Sequence, residues 1–238
     1  MKGDGMTSKD ALSKFPKPYP PETVWILGAG RFGRLAAERL KKKYPQADLL
    51  VVDRRSEKLQ PLREGPAFST HVGEAVPFLA VELPDNVWIV PAIPVHVAFQ
   101  WILLELGRRG RVSGLPTPDE VDALVPNPLR RGGTLYASYA TFICPDACSE
   151  PEEICTHTGG PRRGNLFECL GRIVLPGYHT VVVRSWQLAP GVGGYPGWLL
   201  KEALEEIASS PGQHLVATSC RCHGVIDGLS WMRGALAE

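Results

Sequence analysis

Two groups of residues have the types and spacing to do chemistry. The first is Gly28-Ala29-Gly30-Arg31-Phe32-Gly33, entered from the apolar run Val24-Trp25-Ile26-Leu27 and left by a helical pattern. A second apolar run, Leu49-Leu50-Val51-Val52, ends in Asp53, about 20 residues after the third glycine. Strand, G-x-G-x-x-G turn, helix and spaced acid together form a dinucleotide-binding fingerprint. Gly28 allows the tight turn, Gly30 lets the backbone approach a pyrophosphate, and Gly33 lets the helix pack closely on the strand. Ala29, Arg31 and Phe32 complete the turn, whose amides face the pyrophosphate at the helix N-terminus. Asp53 is expected to accept hydrogen bonds from the adenosine ribose, and its charge repels a 2′-phosphate, so NAD is favoured over NADP. Arg54 and Arg55 work against that preference, since either could stack on adenine or pair with such a phosphate.

The second group is made of thiols. Cys144, Cys148 and Cys155 lie in one loop rich in proline, acid and glycine, and Cys220 and Cys222 follow a later strand-like run, His214 to Thr218. In a reducing compartment six cysteines point to thiols or metal ligands rather than disulfides. An iron–sulfur cluster on Cys144, Cys148, Cys155 and one of Cys220 or Cys222 is the first expectation, because all-thiolate ligation suits such clusters. Zinc, with His157 or His223 as a nitrogen ligand, is the second. A redox-active pair at Cys220 and Cys222, or buried thiols with no ligand, complete the alternatives. Cys169 sits on an apolar helical face and belongs to the core. Arg162 and Arg163, beside the cysteine loop, could meet an anionic substrate.

Elements must bring these groups together. A strand expected from Asn86 to Ala92 runs through Ile93-Pro94-Val95-His96 into a helix, which puts His96 at the carboxyl edge of a parallel sheet. A histidine there is a candidate acid or base near a nicotinamide, or a helix-capping group. Strands are also expected at 134–143 and 180–186, and the glycine-rich stretch Gly191 to Gly197 is expected to join a strand to the helix at 198–208. If the strands before Cys144 and Cys220 run parallel to the first, both cysteine groups and the Gly28 turn emerge on one edge. The fold expected is α/β, an extended, mostly parallel, doubly wound sheet of Rossmann type with a cysteine-bearing insertion. Its parts are an N-terminal arm at 1–21, a dinucleotide half at 22–109, a proline-rich connection at 110–133 and a second half at 134–238.

The totals narrow the function classes. A formal charge of +1 over 238 residues gives no electrostatic reason to expect nucleic acid or an anionic membrane as partner. The apolar stretch Ile89 to Leu106 is broken by Pro91, Pro94, His96, Gln100 and Glu105, so no membrane span is expected. The first twenty residues contain no apolar core of a secretory signal, and a cytoplasmic location follows.

Residues 22–109 resemble the NAD-binding Rossmann domains of potassium-uptake regulators and of many dehydrogenases, through Gly28-Ala29-Gly30-Arg31-Phe32-Gly33 and Val51-Val52-Asp53. The resemblance implies a dinucleotide as ligand and leaves the reaction open. The cysteine-bearing half departs from those regulators. Together these features lead to the expectation of an NAD(P)-binding redox protein, an oxidoreductase with a thiolate-held cluster or metal near the nicotinamide. The alternatives are a non-enzymatic NAD(H) or redox sensor that acts through a redox or regulatory partner protein, and an NAD-binding protein with a structural zinc. A homo-oligomer stays open.

Overall fold

Alternation of strand and helix dominates the first hundred residues of the computed structural model, which describes residues 19–63 and 67–234. The expected arm at 1–21 lies outside these residues, apart from Tyr19, Pro20 and Pro21. Four strands, β1 (Thr23–Leu27), β2 (Asp48–Asp53), β3 (Ser69–Val72) and β4 (Val87–Pro91), pair in parallel in the order β3-β2-β1-β4. Four helices connect or follow them: α1 (Arg31–Lys43), α2 (Ser56–Arg63), α3 (Ala75–Leu79) and α4 (Val97–Gly107). The inner strands β1 and β4 are buried on both faces, which explains their unbroken apolar sequence. In α1, Gly33, Ala36, Ala37 and Leu40 form the buried stripe, and Lys41, Lys42 and Lys43 lie in the last turn, where cations suit the helix dipole. Phe32, at the turn, is 59% exposed.

The second half does not extend this sheet as one continuous array, and the expectation of a single mostly parallel sheet is corrected to two sheets. It contributes β5 (Gly110–Leu115), a 3-10 turn (Asp119–Leu124), β6 (Leu129–Arg131), β7 (Thr134–Ser138), α5 (Leu166–Gly171) and β8 (Tyr178–Arg184). These are followed by β9 (Trp186–Ala189), β10 (Val192–Pro196), α6 (Gly197–Ser209), β11 (Gly212–Ser219) and β12 (His223–Arg233). The glycine-rich stretch after Ala189 is thus the turn and second strand of a hairpin, not a loop leading directly to a helix. Strand β10 adds antiparallel to β4, giving a six-stranded first sheet ordered β3-β2-β1-β4-β10-β9. Its glycines serve close approach: a Cβ on Gly194 would stand 2.8 Å from the Ile89 carbonyl oxygen.

The other sheet runs β6-β7-β12-β11-β8 and is mostly antiparallel, with only β11 and β8 parallel. The long strand β12 shares one edge between β7, through His223–Ile226, and β5, through Gly228–Arg233. The supposed connection at 110–133 is therefore part of this sheet. Because β7 and β11 both run antiparallel to β12, their carboxyl ends leave the sheet on the same edge. That is the edge from which the Cys144 and Cys220 segments emerge.

One continuous core joins the sheets, running from Val24, Ile26 and Trp88 to Val216, Leu229 and Trp231. His214 on β11 is 1% exposed, and its Nε2–H donates to the Ser210 carbonyl at 2.7 Å. Its Nδ1 is buried without a hydrogen-bond partner. Burial lowers its pKa, with the neighbouring His179 adding to the effect. The unfolded chain therefore binds this proton more readily than the folded one. His214's contribution is present above the ordinary histidine pKa of about 6.5 and is lost as pH falls through and below it. We expect the urea midpoint to fall between pH 7 and 5, with a slope approaching about 1.4 kcal/mol per pH unit from this group. His214→Gln should give a flatter profile over the same range; an equally steep one would assign the loss elsewhere.

Candidate functional site

The Gly28 turn is shaped by what surrounds it. Gly28 has φ of 113°, a left-handed conformation, and a Cβ there would press on Ile93 and on the Ala92 carbonyl. At Gly33 a Cβ would collide with the Gly28 carbonyl oxygen, so helix and turn meet with no side chain between them. Gly30 differs: the nearest atom to a Cβ there is Lys58 Nζ at 3.9 Å, which leaves an open cradle with an ammonium beside it. Asp53, at the end of β2, accepts from the Ala29 amide at 2.8 Å and from the Arg55 amide at 2.9 Å. Its carboxylate thus fixes the turn and remains at the sheet edge with a side chain 9% exposed. Arg54 pairs with Glu74 at 3.6 Å, and the Arg55 guanidinium lies 3.8 Å from Asp53.

Cysteines from separate parts of the chain line one cavity of about 540 Å³: Cys144, Cys148, Cys155, Cys220 and Cys222. His157, His223, Glu150 and Arg162 share its wall. The Cys220–His223 turn is held in place by two backbone bonds, from the Tyr139 amide to the Cys222 carbonyl and from the Leu166 amide to the Arg221 carbonyl, each 2.9 Å. The His223 ring stands between two sulfurs, with Nε2 3.6 Å from Cys144 Sγ and Nδ1 3.9 Å from Cys220 Sγ. Arg162 Nη1 donates to Cys222 Sγ at 2.5 Å. Burial raises the pKa of Cys144, and the facing charges of Cys148, Cys222 and Cys155 raise it further. Cys155 moves the other way, lowered by hydrogen bonds from Thr158 and the His157 backbone. Among the described residues, no group of three or more His, Cys, Asp or Glu side chains is placed to hold a metal ion. Cys169 stands apart, packed on the smaller core cluster of the second sheet.

The glycine turn and the thiol cavity are connected directly. Arg31, the first residue of α1 and next to Gly30, donates from Nη2 to Asp146 Oδ2 at 2.9 Å, within the Cys144–Cys148 segment. About two turns along the helix, Arg39 donates to the carbonyls of Asp146 and Pro190, at 2.5 and 2.6 Å. The Gly191 amide donates to the Cys148 carbonyl at 2.8 Å, and the backbone of Gly191 leaves no room for a Cβ against Asp146. The β9–β10 hairpin therefore wraps the cysteine segment, and sequence reasoning had no pointer to Arg39 or Asp146. Neither has a motif; each matters through a partner more than a hundred residues away.

His96 lies elsewhere. Its Nδ1 bonds Asp227 Oδ2 and its Nε2 bonds Thr218 Oγ1, both at 2.8 Å, and Thr134 Oγ1 donates to the other Asp227 oxygen at 2.7 Å. The ring stacks on Phe99 and its side chain is 5% exposed. It is not among the residues lining the thiol cavity. The network links the start of α4 to β11, β12 and β7, and an acid or base role for His96 would require Thr218 to give up Nε2.

No helix among the described residues is long and apolar enough to cross a membrane. A protein of Archaeoglobus fulgidus, named only as an uncharacterized protein, is 28% identical over 224 residues, covering 86% of this chain and 97% of the relative. No solved structure matches the chain. The family AF_1314_C, described as "Uncharacterized protein, C-terminal domain", matches residues 98–232, from α4 to β12 and so including every cysteine. Since that match spans more than half of the chain, the protein belongs to this family.

Proposed function

We propose that the protein binds a dinucleotide, NAD in preference to NADP, at the Gly28–Gly33 turn and is a redox protein with a thiolate-held iron–sulfur cluster or metal beside it. The observation that carries the reading is the Arg31–Asp146 bond, because it joins the helix that would receive the pyrophosphate to the segment bearing Cys144 and Cys148. The parallel order β3-β2-β1-β4 agrees with the 3-2-1-4 run of doubly wound dinucleotide folds, with the turn after β1 at its carboxyl edge, and supports the reading. The open cradle at Gly30 and the absence of space at Gly28 and Gly33 fit a pyrophosphate lying against bare backbone. Asp53 would hold the ribose hydroxyls, and Lys58 would offset phosphate charge.

The thiol cavity fits a soft metal centre through its donors: five sulfurs, two imidazoles and few hard ligands. When bound, a dinucleotide supplies hydride chemistry and a cluster supplies one-electron steps. The chain's own part is to orient both groups. Arg31 and Arg39 hold the cysteine segment against α1, and the β9–β10 hairpin covers its outer side.

Anaerobic purification followed by iron, zinc and sulfide analysis with a visible spectrum tests the metal. Iron with sulfide and broad visible absorption supports the electron-transfer form of the reading; zinc alone removes it. Titration with NAD and NADH tests the other half. Asp53→Ala should weaken dinucleotide binding by about 10-fold or more, as expected for loss of charge-assisted hydrogen bonds. Unchanged thermal stabilisation by NAD in that variant would undo the assignment of the carboxylate.

A further inference from the structure

The Cys220–His223 turn offers two sulfurs to one cavity, and their surroundings differ. Cys220 Sγ accepts the backbone N–H groups of Cys222 and His223, two and three residues ahead, each at 3.4 Å. Paired amides of this kind stabilise negative charge on sulfur without supplying a positive ion, so they favour a thiolate that a metal can still take.

Cys222 is provided for differently. Its sulfur is met by the Arg162 guanidinium, and Arg162 is itself fixed by an Nε bond to the Pro151 carbonyl and by its backbone amide on the Glu153 carbonyl. A sulfur already held by a fixed cation gains less from a metal, and that cation repels the metal ion. Cys220 Sγ, by contrast, meets backbone N–H groups and the His223 ring rather than a guanidinium. Cys222 also faces Cys148, which makes it the competing choice.

From these contacts we infer that Cys220, with Cys144, Cys148 and Cys155, completes the thiolate set of the metal centre, while Cys222 stays off the metal and is held by Arg162. This rests on the metal-centre reading above. It gives the centre one ligand from the edge of β11 and three from the loop after β7, so that a bound metal would tie both strand ends together. The neighbouring Cys222 would be left as an unligated thiol on the cavity wall.

The test compares Cys220→Ala and Cys222→Ala with the wild type after cobalt substitution, using the sulfur-to-cobalt charge-transfer band and metal content as readouts. Cys220→Ala is expected to lose at least 10-fold in cobalt affinity and part of the band, and Cys222→Ala to keep both. Loss in Cys222→Ala with retention in Cys220→Ala overturns the assignment, as does retention in both. Absence of metal binding by the wild type fails the metal-centre reading itself and is distinguished by that control. Should Cys220→Ala not fold, iodoacetamide labelling of the metal-loaded wild type decides. Alkylation of Cys222 with metal retained supports the inference, whereas protection of Cys222 until a chelator is added overturns it.

Discussion

Replacing Gly33 with alanine is expected to cost about 3 kcal/mol or more and to abolish dinucleotide-dependent stabilisation. The added methyl group would occupy the place of the Gly28 carbonyl oxygen, and neither side can yield easily. Gly28 is held by its amide on the Val52 carbonyl at 2.7 Å, and Gly33 is buried in the first turns of α1. Relief would require the helix to move off β1, separating Ala36, Ala37 and Leu40 from the core. Overpacking of this kind costs about 1–3 kcal/mol even where side chains can adjust, and here the obstacle is backbone. Gly30→Ala provides the comparison, since the space there is open. It should fold normally and lose affinity for the dinucleotide through the occupied cradle. Urea unfolding of the two variants, with and without NAD, separates the effects. Equal stability of Gly33→Ala and the wild type would refute the packing argument.

The second large effect is expected at Asp227. Its carboxylate accepts from Thr134 and bonds His96, which in turn bonds Thr218, and the group is almost entirely removed from water. Asp227→Ala would leave the imidazole and a hydroxyl without their partner in a buried place. Each buried polar group left unsatisfied costs about 1–3 kcal/mol. Asp227→Asn should recover part of the loss, because an amide can still accept from one neighbour. If His96 serves only to join α4 to the second sheet, His96→Gln should lower stability and leave dinucleotide affinity unchanged. A fall in reaction rate at unchanged stability and affinity would instead assign it an acid or base role. Chemical denaturation together with NAD titration reads both quantities.

The sequence was most informative where local pattern and tertiary role coincide. Gly28, Gly30 and Gly33, the apolar β1 and β2, and Asp53 are a continuous local device, and the structure places them together as their spacing implies. The cysteines required a longer inference, from strand directions to a shared edge. The edge is shared, but in the second sheet, because β7 and β11 are each antiparallel to β12. Strand β12 itself had no clear signal: His223-Gly224-Val225-Ile226-Asp227-Gly228 mixes glycines and a charge into what is the central strand. Those residues are explained only by distant partners. Asp227 answers His96, and a Cβ on Gly224 would press on Leu170. The β9–β10 hairpin was concealed for a similar reason, since its glycines admit neighbouring backbone rather than marking a flexible loop.

The pairing of β12 with β5 also imposes an order of assembly. Residues 228–233 pair with the strand at 110–115, so the loop closed between them contains Cys144, Cys148, Cys155 and Cys220. During synthesis, the first three thiols are made long before the strand that completes their sheet. Contacts of such sequence separation form slowly relative to the local units of the first half. The glycine turn and its parallel strands can therefore be in place while the sulfurs are still open to solvent, before the cavity closes around them.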